Sequence, residues 1–122
     1  MGTIVISKKE NNKFKYTYNN RKGHTLLTSN SHETKAHCIS EINILKRNFT
    51  SIDYLRYKTP SGKLYFKISI NEYILGSSRK FTTPLLMDKG LNDWKNNFTQ
   101  SEILDFCEDV FEGFPEIIFD EN

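Results

Sequence analysis

Three histidines, two cysteines and a set of lysines interleaved with tyrosines are the residues of this chain whose types invite chemistry. Their spacing gives none of them a catalytic partner. His32 and His37 stand five apart, off the i, i+4 face that two helical ligands would share, and His24 adds no metal-ligand spacing, so no metal site is expected. No Gly-x-Ser-x-Gly, P-loop, His-Glu-x-x-His or Cys-x-x-Cys pattern occurs. Ser61-Gly62-Lys63 ends like a phosphate loop, but it joins two strands rather than opening a helix. Gly76-Ser77-Ser78 offers backbone N–H groups to an anion, although a strand end that needs small residues explains it as well. Cys38 and Cys107 both lie on apolar stripes and read as buried thiols. His37 precedes Cys38, but adjacent helical residues point in different directions. The expectation is a protein without catalytic residues, cofactor or metal.

Charge gives the stronger signal. Residues 1–100 hold all 17 lysines and arginines and only seven acids, a net +10, while residues 101–122 hold eight acids and no base, a net −8. In the basic part, alternating segments place Lys13, Lys15, Arg56, Lys58, Lys63, Tyr65 and Lys67 on one outward sheet face. Cations for phosphates and rings for bases are the parts of a single-strand nucleic-acid binder. The same lysines also serve to keep a sheet edge soluble. In the acidic part, Asp105, Glu108, Asp109 and Glu112 form one stripe if the segment is helical. The i, i+4 pairs within it repel by about 0.2–0.5 kcal/mol each. Such a helix needs its Ile103/Cys107/Val110 side docked on the basic part or a basic surface beside its acids, a plainly solvated acidic face being the alternative, and Thr99 with Glu102 reads as its capping box.

The elements that carry these residues come in two rounds. Asn-Phe-Thr occurs at 48–50 and again at 97–99. Cys38, Ile42, Leu45 and Phe49 step by four, three and four, and Met87, Leu91, Trp94 and Phe98 do the same 49 residues later. Each set lies on one face of a helix. Ahead of each helix, three strands are expected. They lie over 3–6, 13–18 and 24–29 in the first round, and over 52–58, 63–70 and 73–78 in the second. The first helix is expected over 34–47, with Asn48 as a left-handed cap. The second is capped by Thr83, with Pro84 at its first position and an end near Asn96.

The pattern implies one α+β domain over 1–122, with repeat one at 3–50, repeat two at 51–99 and an acidic helix and tail at 100–122. A duplicated β3-α unit would form one antiparallel sheet of about six strands, with the helices on one face.

Asn12-Lys13-Phe14-Lys15-Tyr16 through Gly23-His24-Thr25-Leu26-Leu27-Thr28-Ser29 resembles the repeat of the YegP-like family of small bacterial proteins. So do Ser61-Gly62-Lys63-Leu64-Tyr65-Phe66-Lys67 through Ile74-Leu75-Gly76-Ser77-Ser78, and the helix ends Ile42 to Asn48 and Leu91 to Asn97. The resemblance covers about residues 3–99 and implies duplicated strand-rich units with helices on one sheet. It brings no activity and no catalytic residues. Glu41 stands where the second helix has Gly90, and the acidic segment lies outside the repeat.

The start of the chain lacks the pattern of a secretion signal, Ile6 breaks a myristoylation signal, and no apolar run is long enough to span a bilayer. A cytoplasmic binding module without catalytic activity follows, taking an unknown protein partner or a modest ligand through its sheet face or helix groove, with the sheet edges open to a second copy of itself. Binding of single-stranded nucleic acid through the basic face, modulated by the acidic tail, is the alternative.

Overall fold

The computed structural model describes residues 2–107. Two three-stranded units are followed in chain order by a helix each. The first is β1 (Thr3–Lys8), β2 (Phe14–Asn19), β3 (Thr25–Ser29) and α1 (Lys35–Arg47). The second is β4 (Asp53–Lys58), β5 (Leu64–Ile70), β6 (Tyr73–Ser78) and α2 (Pro84–Asn97). Short 3-10 turns, Phe49–Ser51 and Phe98–Gln100, close the two rounds, and β7 (Glu102–Asp105) ends the described chain.

One mixed sheet of seven strands results, in the order β4-β5-β6-β3-β2-β1-β7. The pairing of β3 with β6 joins the two halves, and every pairing is antiparallel except that of β1 with β7. Local chemistry accounts for each helix start. Thr34 and Thr83 accept a hydrogen bond from the backbone N–H three residues on, at His37 and Leu86, and Pro84 sits where its missing N–H has no helical partner. Asn48 is not left-handed: its φ is −114°, and both its backbone and side-chain N–H groups donate to Ile44 O instead.

The seventh strand replaces the expected acidic helix. Thr99 lies in the 3-10 turn, and Glu102 begins a strand rather than closing a capping box. Two effects favour this outcome. The outer edge of β1 would otherwise leave its backbone groups without partners, and a parallel strand supplies them. The acidic spacing also works against a helix. In the strand, Ile103 lies beside Ile4 on the core side and Leu104 beside Val5 on the other. Asp105 thus leaves the predicted acidic stripe, while Glu108, Asp109, Val110 and Glu112 lie outside the described residues.

Asp105 instead reaches the start of α1, with Oδ2 at 2.8 Å from Lys35 Nζ. That hydrogen bond first, and the Cys107 N–H second, hold its carboxyl below the ordinary carboxylate range. A depressed carboxyl contributes stability that is present above its unfolded pKa and lost as pH falls through the folded one. Below pH about 4 the β7 amides, and the Phe106 N–H on Ile6 O just after them, are expected to lose hydrogen-exchange protection before those of β1–β2. Asp105→Asn is expected to remove that acid-specific step.

Both helices bury the expected stripes in one core. Cys38, Ile42, Leu45, Met87, Leu91, Trp94 and Phe98 meet Ile4, Ile6, Tyr16, Tyr18, Leu27, Phe66 and Ile68 from the sheet. Phe49 and Phe98, from the two Asn-Phe-Thr triplets, stack at 6.0 Å, and Trp94 lies against both. The halves share finer detail. The Tyr16 and Phe66 amides donate to Ser29 Oγ and Ser78 Oγ at 2.9 Å each, and Phe14 and Leu64 form isolated bridges with His32 and Phe81.

The β5–β6 hairpin turns on Asn71 and Glu72, both at positive φ, 51° and 72°. A two-residue loop of this kind prefers Asn-Gly, because a side chain in the left-handed region costs about 1 kcal/mol. Glu72→Gly is therefore expected to raise stability by about 0.5–1 kcal/mol in urea denaturation.

Candidate functional site

The helices cover one face of the sheet and leave the other bare. Strand register shows which side chains stand on the bare face. A cross-strand row runs through Leu55, Lys67, Ser77, Thr28, Thr17 and Val5 to Leu104. Small hydroxyl residues occupy the middle of that row, with larger ones toward β4. Beside it, Tyr57 and Tyr65 stack across β4 and β5 at 5.3 Å. Lys67 Nζ lies 5.2 Å from the Tyr57 ring centre, and Lys80 Nζ 5.3 Å from that of Tyr65. Each ring thus already has an aromatic neighbour and a cation.

The seven basic-face residues named from the sequence do not all share this surface. Lys15, Tyr65 and Lys67 do, with Lys15 opposite Ser7 at the β1–β2 end. Arg56 and Lys58 lie on the helix side, because β4 pairs Arg56 with the buried Phe66 and Lys58 with Leu64. Arg56 reaches Asp88 of α2, Nη1 to Oδ1 3.7 Å. Lys13 is paired with Glu33 at 2.8 Å, and Lys63 stands exposed at the turn into β5. The bare face therefore carries fewer cations than expected and more apolar surface. Leu55, Tyr57 and Ile74 are each a little over a third exposed, whereas Tyr73, opposite the core-packed Ile70, is exposed on the helix side. As the terminal strand of the sheet, β4 pairs with β5 alone, so its outer backbone groups face outward.

A polar cluster under α1 has no signal in the sequence. Tyr16 OH donates to Glu41 Oε2. His32 Nε2 is buried 3.4 Å from the same oxygen, without hydrogen-bond geometry, and its ring stacks on Tyr16 at 6.0 Å. Burial first, then the Glu41 charge, pushes the Tyr16 phenol far above its ordinary value, so it is a poor proton donor at neutral pH. The same two causes push the Cys38 thiol up to about 11, so it stays protonated and is no nucleophile. The matching positions of the second half are Phe66, Phe81 and Gly90, where a Cβ on Gly90 would sit 2.7 Å from Phe81 Cζ. The Tyr16–His32–Glu41 group thus fills a space that an aromatic pair fills in the other half. Among the described residues, no three His, Cys, Asp or Glu side chains gather to hold a metal ion, and no helix is long and apolar enough to cross a membrane.

No family model matches the chain. Curated relatives do. A UPF0339 protein, YegP of Shigella flexneri, is 30% identical over 106 residues, which cover 85% of this chain and 96% of the relative. The chain belongs to the UPF0339 family, the family of YegP. YegP of Escherichia coli K12 is 29% identical over the same shares, and a UPF0339 protein of Acinetobacter baylyi 27%. Among solved structures, the solution structure of YegP from E. coli superimposes with a TM-score of 0.74 at 23% identity, over 88% of this chain and 94% of the other. A UPF0339 protein of Shewanella oneidensis gives 0.76 at 22% identity, over 87% and 92%. These likenesses carry the fold. The E. coli protein is described as one of unknown function.

Proposed function

We propose that this UPF0339 protein is a non-catalytic binding module whose bare sheet face, beside the β4 edge, docks an extended partner-protein segment that alternates acidic and apolar residues. One observation carries the reading: a six-residue edge strand presents Leu55 and Tyr57 over a third exposed, with Lys67 and Tyr65 directly behind them. Added strands bind through backbone hydrogen bonds and are selected through alternate side chains. Here those side chains would meet an apolar pair on one face and Arg56 and Lys58 on the other. Within the reading, the two rounds are copies of one unit in a single domain, and the protein works in the cytoplasm, where two free thiols persist.

Single-stranded nucleic acid is the second reading, favoured by the Tyr57–Tyr65 stack between lysines. It ranks lower because binding bases would mean displacing cations already seated on those rings. The experiment compares wild type with Leu55→Glu/Tyr57→Glu as bait, cross-linking captured proteins in nuclease-treated native extract at two salt concentrations. The reading expects an acidic partner cross-linked at β4 and lost in the variant. Retention by the variant rejects it. Binding to an oligonucleotide that falls steeply with salt, and strengthens when residues 108–122 are removed, would favour the second reading instead.

A further inference from the structure

A cleft of about 310 Å³ opens where the start of α2 meets the β2–β3 turn and the β6–α2 connection. Leu26, Phe81 and Leu86 give it an apolar wall, and Asn20, Thr82 and Asp93 are its polar neutral and acidic lining. Arg79, Lys80 and Lys89 stand around it. A shallower groove continues along the β2–β3 turn, sharing Asn20, Leu86, Lys89 and Asp93 and adding Arg21, Lys22 and His24. Four permanent cations, Arg21, Lys22, Arg79 and Lys89, therefore face one continuous depression, while Lys80 lines it but holds its ammonium over the Tyr65 ring. Asp93 is its lone acid, and the Asp93 carboxylate already accepts hydrogen bonds from Tyr18 OH at 2.5 Å and Asn97 Nδ2 at 3.2 Å. Among the described residues, none of these four cations has a carboxylate at ion-pair distance.

The fold does not require these cations. The positions 49 residues earlier occupy the same places beside α1, and there Arg79, Lys80 and Lys89 are matched by Asn30, Ser31 and Ser40. Leu86 is matched by His37, so the exposed part of the apolar wall is also particular to the second half. Clustered like charges repel one another, and an anion between them relieves that repulsion. A monocarboxylate would meet only part of the charge. A phosphate monoester carries about −1.5 to −2 and three acceptor oxygens, which suit an arginine fork beside a lysine. The cavity has the size of a small-molecule site, at the lower end of the usual range of about 300–1,000 Å³.

We propose that this cleft binds a small phosphate monoester with a planar apolar body, of the mononucleotide class. The phosphate sits between Arg79 and Lys89, the body lies on Leu26, Phe81 and Leu86, and Asn20 and Asp93 take its polar edge. This site is separate from the bare sheet face and stands whether or not that face binds a protein.

The test is a backbone-amide NMR titration of the full chain with adenosine monophosphate, with adenosine and inorganic phosphate as separate arms. The expected result is a saturable shift of the Thr82, Leu86 and Gly90 amides with the monophosphate. Phosphate moves the same amides at least tenfold more weakly, and adenosine leaves them in place. Arg79→Gln/Lys89→Gln, folded as judged by an unchanged melting temperature, binds at least tenfold more weakly. Lys15→Gln/Lys67→Gln on the sheet face binds as wild type does. The proposal fails if the monophosphate gives no saturable shift at those amides. It also fails if Arg79→Gln/Lys89→Gln binds within twofold of wild type, or if phosphate alone binds as tightly as the monophosphate.

Discussion

Trp94→Ala is expected to remove about 3–5 kcal/mol of folding stability, the range for deleting a large buried aromatic. For a domain of this size that corresponds to a fall in melting temperature of roughly 15–30 °C. Trp94 is fully buried and touches both halves. Its ring packs on Phe98 at 4.1 Å, on Tyr18 edge-on at 5.6 Å and on Phe49 at 5.9 Å. Its Nε1–H donates to Tyr54 OH at 3.0 Å, tying α2 to β4. Alanine leaves a cavity at the meeting point of two helices and the sheet, and leaves the half-buried Tyr54 hydroxyl without its donor. Trp94→Phe should keep most of the packing and lose mainly the hydrogen bond, costing about 1–2 kcal/mol beyond its small volume change. Urea denaturation of the two variants separates these contributions. A cost below about 1 kcal/mol for Trp94→Ala would mean that the ring does not sit in a shared core.

The second large effect is expected at the join between the halves. A Cβ on Gly76 would stand 2.8 Å from Thr28 O and 3.1 Å from Leu27 Cδ2. The nearer atom is backbone, so relief requires β3 and β6 to part rather than a side chain to swing. Gly76 is paired with Ser29 across that join and with Ile68 on its other side, which leaves the strand little room to shift. Gly76→Ala should cost about 2–3 kcal/mol, and Gly76→Val more, as overpacking against fixed backbone does. Exchange of the Asn30 amide, which donates to Leu75 O at 3.2 Å, should report the loosened join directly.

Much of this architecture is legible in the sequence because it rests on local rules. The stepped stripes ending in Phe49 and Phe98 announce two helices with one buried face each, and Thr83-Pro84 marks a helix start to the residue. The alternation of Phe14, Tyr16 and Tyr18 fixes which side of β2 is inward. What escapes depends on partners distant in sequence. Thr99 and Glu102 have capping-box spacing, yet the unpaired edge of β1, about a hundred residues earlier, recruits the segment as a strand. Arg56 and Lys58 belong to a strand with tyrosine and charge on both faces, so only its register against β5 assigns them. The Tyr16–His32–Glu41 group assembles residues far apart in the chain, whose counterparts in the other half are chemically unlike them. The cationic cleft is invisible for the same reason. Its residues come from the β2–β3 turn, the end of β6 and one flank of α2.

The helix-covered side makes one interior for both halves. Differential scanning calorimetry tests the shared interior. Unfolding of roughly 105 residues as one unit gives a van't Hoff enthalpy of roughly 70 kcal/mol near 60 °C, equal to the calorimetric enthalpy, in one transition. Two transitions, or a van't Hoff enthalpy near half the calorimetric value, would show that the halves melt independently and would contradict the account.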